Sequence, residues 1–189
     1  MTIWLVARGA GLAALVLLTV ATALGALVSG GGPARPGARV IAQYTHRVTA
    51  SLGLAVLGLH LTMILADSFA HVGWVGALVP FTSQYRPLWV GLGSLAAYMF
   101  LLVAATGFAR GRMAGSARGA AAWRSIHGAA YAGWAMAMLH GLRSGTDSGL
   151  SWVRWLYLLC LLAVCASVAA RAVTSAPPAR VAVRTGVLR

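Results

Sequence analysis

Residues 43–66 read QYTHRVTASLGLAVLGLHLTMILA, and residues 123–142 read WRSIHGAAYAGWAMAMLHGL. Each run is apolar and close to the roughly 20 residues that a helix needs to cross a bilayer. Each also carries a histidine near both of its ends. His46 and His60 are 14 residues apart, and His127 and His140 are 13 apart. An ionisable side chain inside an apolar span is costly and seldom idle, so two matched pairs on two spans set both the fold class and the search for a site.

The rest of the chain agrees with a membrane setting. Of 189 residues, 60% are hydrophobic and only 9% charged, more apolar surface than a water-soluble domain of this size can cover. All 15 basic residues are arginine, and Asp67 and Asp147 are the only acids. A net charge of +13 raises the question of nucleic acid. The arginines, however, sit in short segments between apolar runs and form no separate basic module, which excludes that class. Cys160 and Cys165 share one apolar run. They read as small core residues, since positions five apart on one helix do not suit a disulfide.

The expected architecture is all-α, a bundle of about five transmembrane helices over residues 1–172, followed by a mobile cytoplasmic tail, 173–189. The spans are expected at 3–28, 43–66, 87–109, 123–142 and 150–170. A cleavable signal peptide is the alternative for the first, but its apolar stretch exceeds a usual signal core, which favours a retained helix. Gly30, Gly31, Gly32, Pro33 and Pro36 mark a loop. Residues 67–86 are too polar at their ends to span, and their middle, 71–81 with Trp74, suits the interface. Pro87 opens the third span, a favourable place for proline. Residues 110–122 read as a Gly/Arg-rich loop and 144–149 as a turn.

Five spans place the termini on opposite sides. Arg35, Arg39, Arg47, Arg110, Arg112, Arg118, Arg124, Arg171, Arg180, Arg184 and Arg189 fall on one side. Arg8, Arg86, Arg143, Arg154 and both aspartates fall on the other. Basic loops stay in the cytoplasm, so this asymmetry makes the first side cytoplasmic and the amino terminus external, in a plasma or bacterial inner membrane.

On this topology the second and fourth spans run in the same direction. His46 and His127 then share the inner level, and His60 and His140 the outer, about 20 Å away at 1.5 Å per residue. Facing helices about 8–10 Å apart allow imidazoles to meet across a flat macrocycle. The simplest reading is two b-type haems, each held by His46 with His127 or by His60 with His140. Zinc or copper suits the pattern less, because no cysteine or carboxylate joins either pair. A proton relay would want acids in the spans, and there are none. Rotation is less tidy. At about 100° per residue, 14 steps return to within about 40°, whereas 13 miss by about 140°, so the fourth span needs a distortion, for which Gly128 and Gly133 are candidates. Gly53 and Gly133, near mid-span, let either a macrocycle or a neighbouring helix come close, helix packing being the plainer reading. Haem propionates need cations. Arg47 and Arg124 suit the inner end and Arg143 or Arg86 the outer. His71 reads as an exposed loop histidine near Asp67.

Over about residues 43–170 the chain resembles the ferric reductase-like transmembrane domain family. The resemblance rests on Tyr44-Thr-His-Arg-Val and Gly58-Leu-His-Leu, and on Trp123-Arg-Ser-Ile-His-Gly and Met138-Leu-His-Gly. The 14-and-13 spacing is that of the family's oxidase branch. The resemblance implies bis-histidine haems at His46, His60, His127 and His140, and electron transfer across the membrane, an oxidoreductase role. Unlike the large oxidases, the sequence has no Gly-x-Gly-x-x-Gly after a strand, and the stretch after Arg171 is too short for a flavin or nicotinamide fold. It is therefore similar to the stand-alone bacterial members. The expected donor is a separate flavoprotein, reduced flavin or a quinol, and the expected acceptor a ferric chelate, oxygen or a partner protein. Two other readings stand beside this one: a single-haem accessory subunit, and a non-redox transporter or assembly factor whose histidines tie helices together.

Overall fold

A computed structural model describes residues 2–29, 36–68 and 71–175. They form seven helices and, among the described residues, no strand: α1 (Thr2–Ser29), α2 (Pro36–Ala66), α3 (Gly73–Leu78), α4 (Pro87–Met113), α5 (Ala117–His127), α6 (Ala129–Ser144) and α7 (Ser151–Ser175). The all-α bundle expected from sequence is what forms. Four helices, α1, α2, α4 and α7, are long and apolar enough to cross a membrane. The fourth expected span, 123–142, is divided at Gly128 between α5 and α6, neither of which is by itself long and apolar enough to cross.

α1 is the central element. In its most apolar window 39% of residues are buried, against 6% for α2. Its buried face is largely small: Ala7, Ala10, Ala14, Ala21 and Ala26, with Leu15 and Leu18. Small residues let backbones approach closely where lipid offers no hydrophobic drive between helices, and α1 packs most extensively on α2, then on α7 and α6. α4 packs on α6 and α5. One core joins these layers through Leu15, Leu18, Phe100, Trp134, Met138, Val153 and Tyr157. The buried Trp134 indole satisfies its N–H by donating to Thr19 Oγ1 at 2.9 Å. Leu101, Phe108, Trp155 and Leu159 point outward, as expected where lipid replaces water.

Several boundaries move. α2 starts at Pro36, seven residues before the expected span. The segment read as a loop, 110–122, is mostly helix. α4 continues to Met113, with Arg110 and Arg112 in its last turn, where they oppose the negative end of the helix dipole. α5 begins after Ser116, whose Oγ accepts the Gly119 N–H at 3.1 Å, an N-cap. Arginines end an apolar run without ending a helix, because their stems reach the interface while the backbone stays bonded. The Pro87 start of α4 is as expected. Short α3 leaves Trp74 68% exposed beside exposed Val75 and Leu78, which fits an interfacial segment. Cys160 is buried as expected, whereas Cys165 is exposed, and both are free thiols. Of the expected Gly/Pro loop, residues 30–35 lie outside the described residues, as does the tail from 176, whereas Pro36 opens α2. α7 carries the helix through Ser175, past the expected tail start at 173.

Candidate cofactor site

The four span histidines meet in the pairs expected. His46 and His127 have ring centroids 6.3 Å apart, and His60 and His140 6.4 Å apart. The rings are inclined at 64° and 75°. All four are half-buried. α2 and α6 share almost no direct backbone contact, so the expected close packing of two neighbouring spans does not occur. A gap separates them, and the imidazoles reach across it.

The break at Gly128 makes this possible. Its N–H donates to Arg124 O at 3.0 Å, and its carbonyl accepts from Tyr131 N at 3.2 Å, a tighter three-residue step than the α-helical one. The register is rewound immediately after His127, so 13 residues bring His127 and His140 to rings of the same helix, α2. Gly128 is thus the distortion that the spacing demanded. Gly133 serves packing, since an added Cβ there would lie 2.9 Å from Met99 Cβ. Gly53 does likewise against Leu18, at 3.0 Å. The helix-packing reading of these two glycines is the one the structure favours.

Each histidine has one nitrogen engaged by the bundle. His46 Nδ1 donates to Ala21 O at 2.8 Å, and His60 Nδ1 to Ala7 O at 2.7 Å, both on α1. His140 Nδ1 donates to Trp89 O on α4 at 2.8 Å. His127 Nδ1 lies 3.1 Å from Thr106 Oγ1, whose own O–H donates to Val103 O at 2.8 Å. A ring whose Nδ1–H is bonded offers Nε2 as a lone pair, the usual arrangement behind a metal-ligating histidine. The three carbonyl acceptors at Ala7, Ala21 and Trp89 are not visible as side-chain motifs, because a backbone carbonyl is present at every residue.

The surroundings are apolar with charged rims. A cleft of about 1300 Å³, counting its open mouth, contains His60 and His140 and is walled by Leu12, Leu15, Leu57, Ile64, Val90 and Phe100 among others. Arg8 and Asp147 line the same cleft and form an ion pair that ties α1 to the turn before α7. Sequence reading placed these two only by topology. Arg143 lies over the Trp89 ring at 5.2 Å, and Arg86 donates to the Arg143 carbonyl. At the other end Trp123 stacks on His127 with centroids 4.9 Å apart, and Arg110 lies over Trp123 at 5.1 Å. Arg47 and Arg124 are exposed, adjacent to His46 and one turn before His127 respectively. His71 is an exposed residue of the segment between α2 and α3, as expected, with left-handed φ of 49°.

Among the described residues, no three His, Cys, Asp or Glu side chains converge as a metal site. Each level offers two imidazoles. That donor set is too small for structural zinc but sufficient for a metal whose other positions a macrocycle fills. A first-row metal sits about 2 Å from an imidazole nitrogen, and that nitrogen roughly 1 Å from its ring centre, so rings collinear across one metal have centroids about 6 Å apart. The observed 6.3 and 6.4 Å fit that requirement.

Fold and site together define a class: an all-α membrane protein whose bundle holds two stacked, bridging-distance imidazole pairs. No protein-family model, curated protein or solved structure matches the chain.

Proposed function

We propose that this chain is a b-type dihaem cytochrome of ferric reductase-like kind, an oxidoreductase subunit that passes electrons across a bilayer. The donor is a cytoplasmic-side flavoprotein, reduced flavin or quinol, and the acceptor an external ferric chelate, oxygen or protein. The observation that carries this is the spacing of the two ring pairs, 6.3 and 6.4 Å, with every Nδ1 already engaged. Haem, when bound, supplies one-electron iron chemistry.

The chain's residues do the rest. His46 with His127, and His60 with His140, would each hold one haem through their imidazole nitrogens. The 14-residue step on α2 separates the levels by about 20 Å along the axis. Leu12, Leu57 and Phe100 keep water from the His60/His140 level. Arg47 and Arg124 at the His46/His127 end, and Arg143 or Arg86 at the other, supply cations for propionates. The arginine asymmetry sets the His46/His127 end towards the cytoplasm.

A reduced-minus-oxidised spectrum with a pyridine haemochrome count tests this. Two haems per chain are expected. His46→Ala and His127→Ala should each remove the same haem, and His60→Ala and His140→Ala the other. Colourless protein would overturn the reading. One haem, lost only with His60 or His140, would support the single-haem subunit instead, a reading favoured by the cleft around that pair.

A further inference from the structure

The carbonyls that receive the imidazoles share a feature. Ala7, Ala21, Trp89 and Val103 each stand four residues before a glycine: Gly11, Gly25, Gly93 and Gly107. Three of these carbonyls accept a histidine Nδ1–H directly. The fourth, Val103 O, faces His127 and is joined to it through the Thr106 hydroxyl.

In a helix the carbonyl of one residue lies beside the Cα of the residue four further on, the N–H of which it accepts. A side chain there stands in the path of any third group approaching that carbonyl. The four glycines are the positions where such a side chain would meet a ring. A Cβ added at Gly93 would lie 2.6 Å from His140 Nδ1. At Gly11 it would lie 3.0 Å from His60 Nδ1, at Gly25 3.3 Å from His46 Cε1, and at Gly107 3.7 Å from His127 Cε1. Gly11 and Gly25 are 14 apart on α1, and Gly93 and Gly107 are 14 apart on α4. The device therefore occurs twice on each of two helices, at the period of the α2 histidines. α1 with α2, and α4 with α5 and α6, are two copies of one arrangement, a glycine-notched helix backing a histidine helix.

We infer that Gly11, Gly25 and Gly93 are positioning residues for the redox centres: each of these three notches seats an imidazole on a backbone carbonyl, which fixes the Nδ1–H tautomer and leaves Nε2 free to hold a metal, whereas beside Gly107 the Thr106 hydroxyl stands between His127 and the carbonyl. This rests on the proposed haem ligation. A carbonyl-bonded imidazole is a stronger donor and favours the ferric state, so losing the bond raises the potential of that centre alone.

The test is a set of single alanine variants, read by electron paramagnetic resonance and by potentiometric titration of each haem. The shift should be largest for Gly93→Ala, smaller for Gly11→Ala and Gly25→Ala, and near zero for Gly107→Ala. Gly93→Ala and Gly11→Ala should move only the His60/His140 centre, upward in potential. Gly133→Ala, which crowds Met99 rather than a ring, controls for packing: it should lower thermal stability and leave both signals in place. Equal effects from all five variants, or unmoved signals in Gly11→Ala and Gly93→Ala, would overturn the inference. Should Gly93→Ala not fold, Gly11→Ala decides the same centre. Should wild-type protein carry no haem, the proposed function fails, and histidine-labelled nitrogen NMR of that sample decides the positioning separately. Nδ1–H tautomers at His46, His60 and His140 uphold it, and Nε2–H tautomers there overturn it.

Discussion

Each span imidazole has two nitrogens, and the bundle engages only Nδ1. At three of the four the acceptor is a main-chain carbonyl that no side-chain change can delete. At His127 it is the Thr106 hydroxyl, at 3.1 Å, which makes that ring the one whose second-layer bond can be removed by a conservative variant. Thr106→Val keeps the volume and withdraws the oxygen, at a net loss of about 1 kcal/mol. The expected outcome is a protein with two haems, in which the potential of the His46/His127 centre rises and that of the other does not change. Potentiometric titration of wild type and variant checks this, and a shift in both centres would contradict the assigned pairing. At this scale the sequence was informative about the histidines, because charge-capable residues in apolar runs stand out. It was silent on the notches. Gly11, Gly25, Gly93 and Gly107 are four among 23 glycines, and their 14-residue period has meaning only once α1 is known to lie against α2 and α4 against α6.

Helices place these residues, and the α5–α6 junction is where the helical register changes. α5 and α6 meet at Gly128, with φ of −63° and ψ of −16°, a conformation open to any residue. Glycine there lowers the preference for a continuous helix. Gly128→Ala raises that preference by about 1 kcal/mol and pulls His127 towards the orientation of a straight helix, away from α2. The expected variant is folded and as heat-stable as wild type, but it gives up the His46/His127 haem faster to an excess of a haem-scavenging apoprotein. Equal transfer rates would show that the break is incidental. The need for a break was legible in the count of 13 against 14. The extent of the helices was not. Arg39 in α2 and Arg110, Arg112 and Arg118 around the α4–α5 corner looked like loop, yet all lie in helix. Hydropathy reports where the hydrocarbon ends, while backbone bonding and long arginine stems carry a helix beyond that point.

For the molecule as a whole, Arg8 and Asp147 join elements 139 residues apart. Their side chains are 25% and 20% exposed, so the pair is neither a solvated surface contact nor a fully desolvated one. Removing Arg8 leaves a carboxylate facing an apolar cleft, which should cost about 1–3 kcal/mol. Removing both leaves neither charge. Arg8→Ala should therefore lower the thermal midpoint in detergent more than Arg8→Ala with Asp147→Ala. An additive double variant would mean the pair does not clamp α1 to the bundle.

The same end of the molecule carries Arg86, Arg143 and Arg154, and the opposite end carries Arg39, Arg47, Arg110, Arg112, Arg118, Arg124 and Arg171 within the described residues. That imbalance is the physical basis for orientation, since basic segments resist translocation. On the proposed topology the α6–α7 turn lies outside and the α4–α5 corner in the cytoplasm. Thr146 and Ala114 are exposed residues at these two places. With Cys160→Ala and Cys165→Ala as background, Thr146→Cys on intact cells should react with a membrane-impermeant maleimide, and Ala114→Cys only after permeabilisation. The reverse pattern would turn the electron path around, with His60 and His140 nearest the cytoplasmic donor. Reaction of both sites on intact cells would mean that these two corners do not lie on opposite faces of a bilayer, and the transmembrane path would have no two sides to connect.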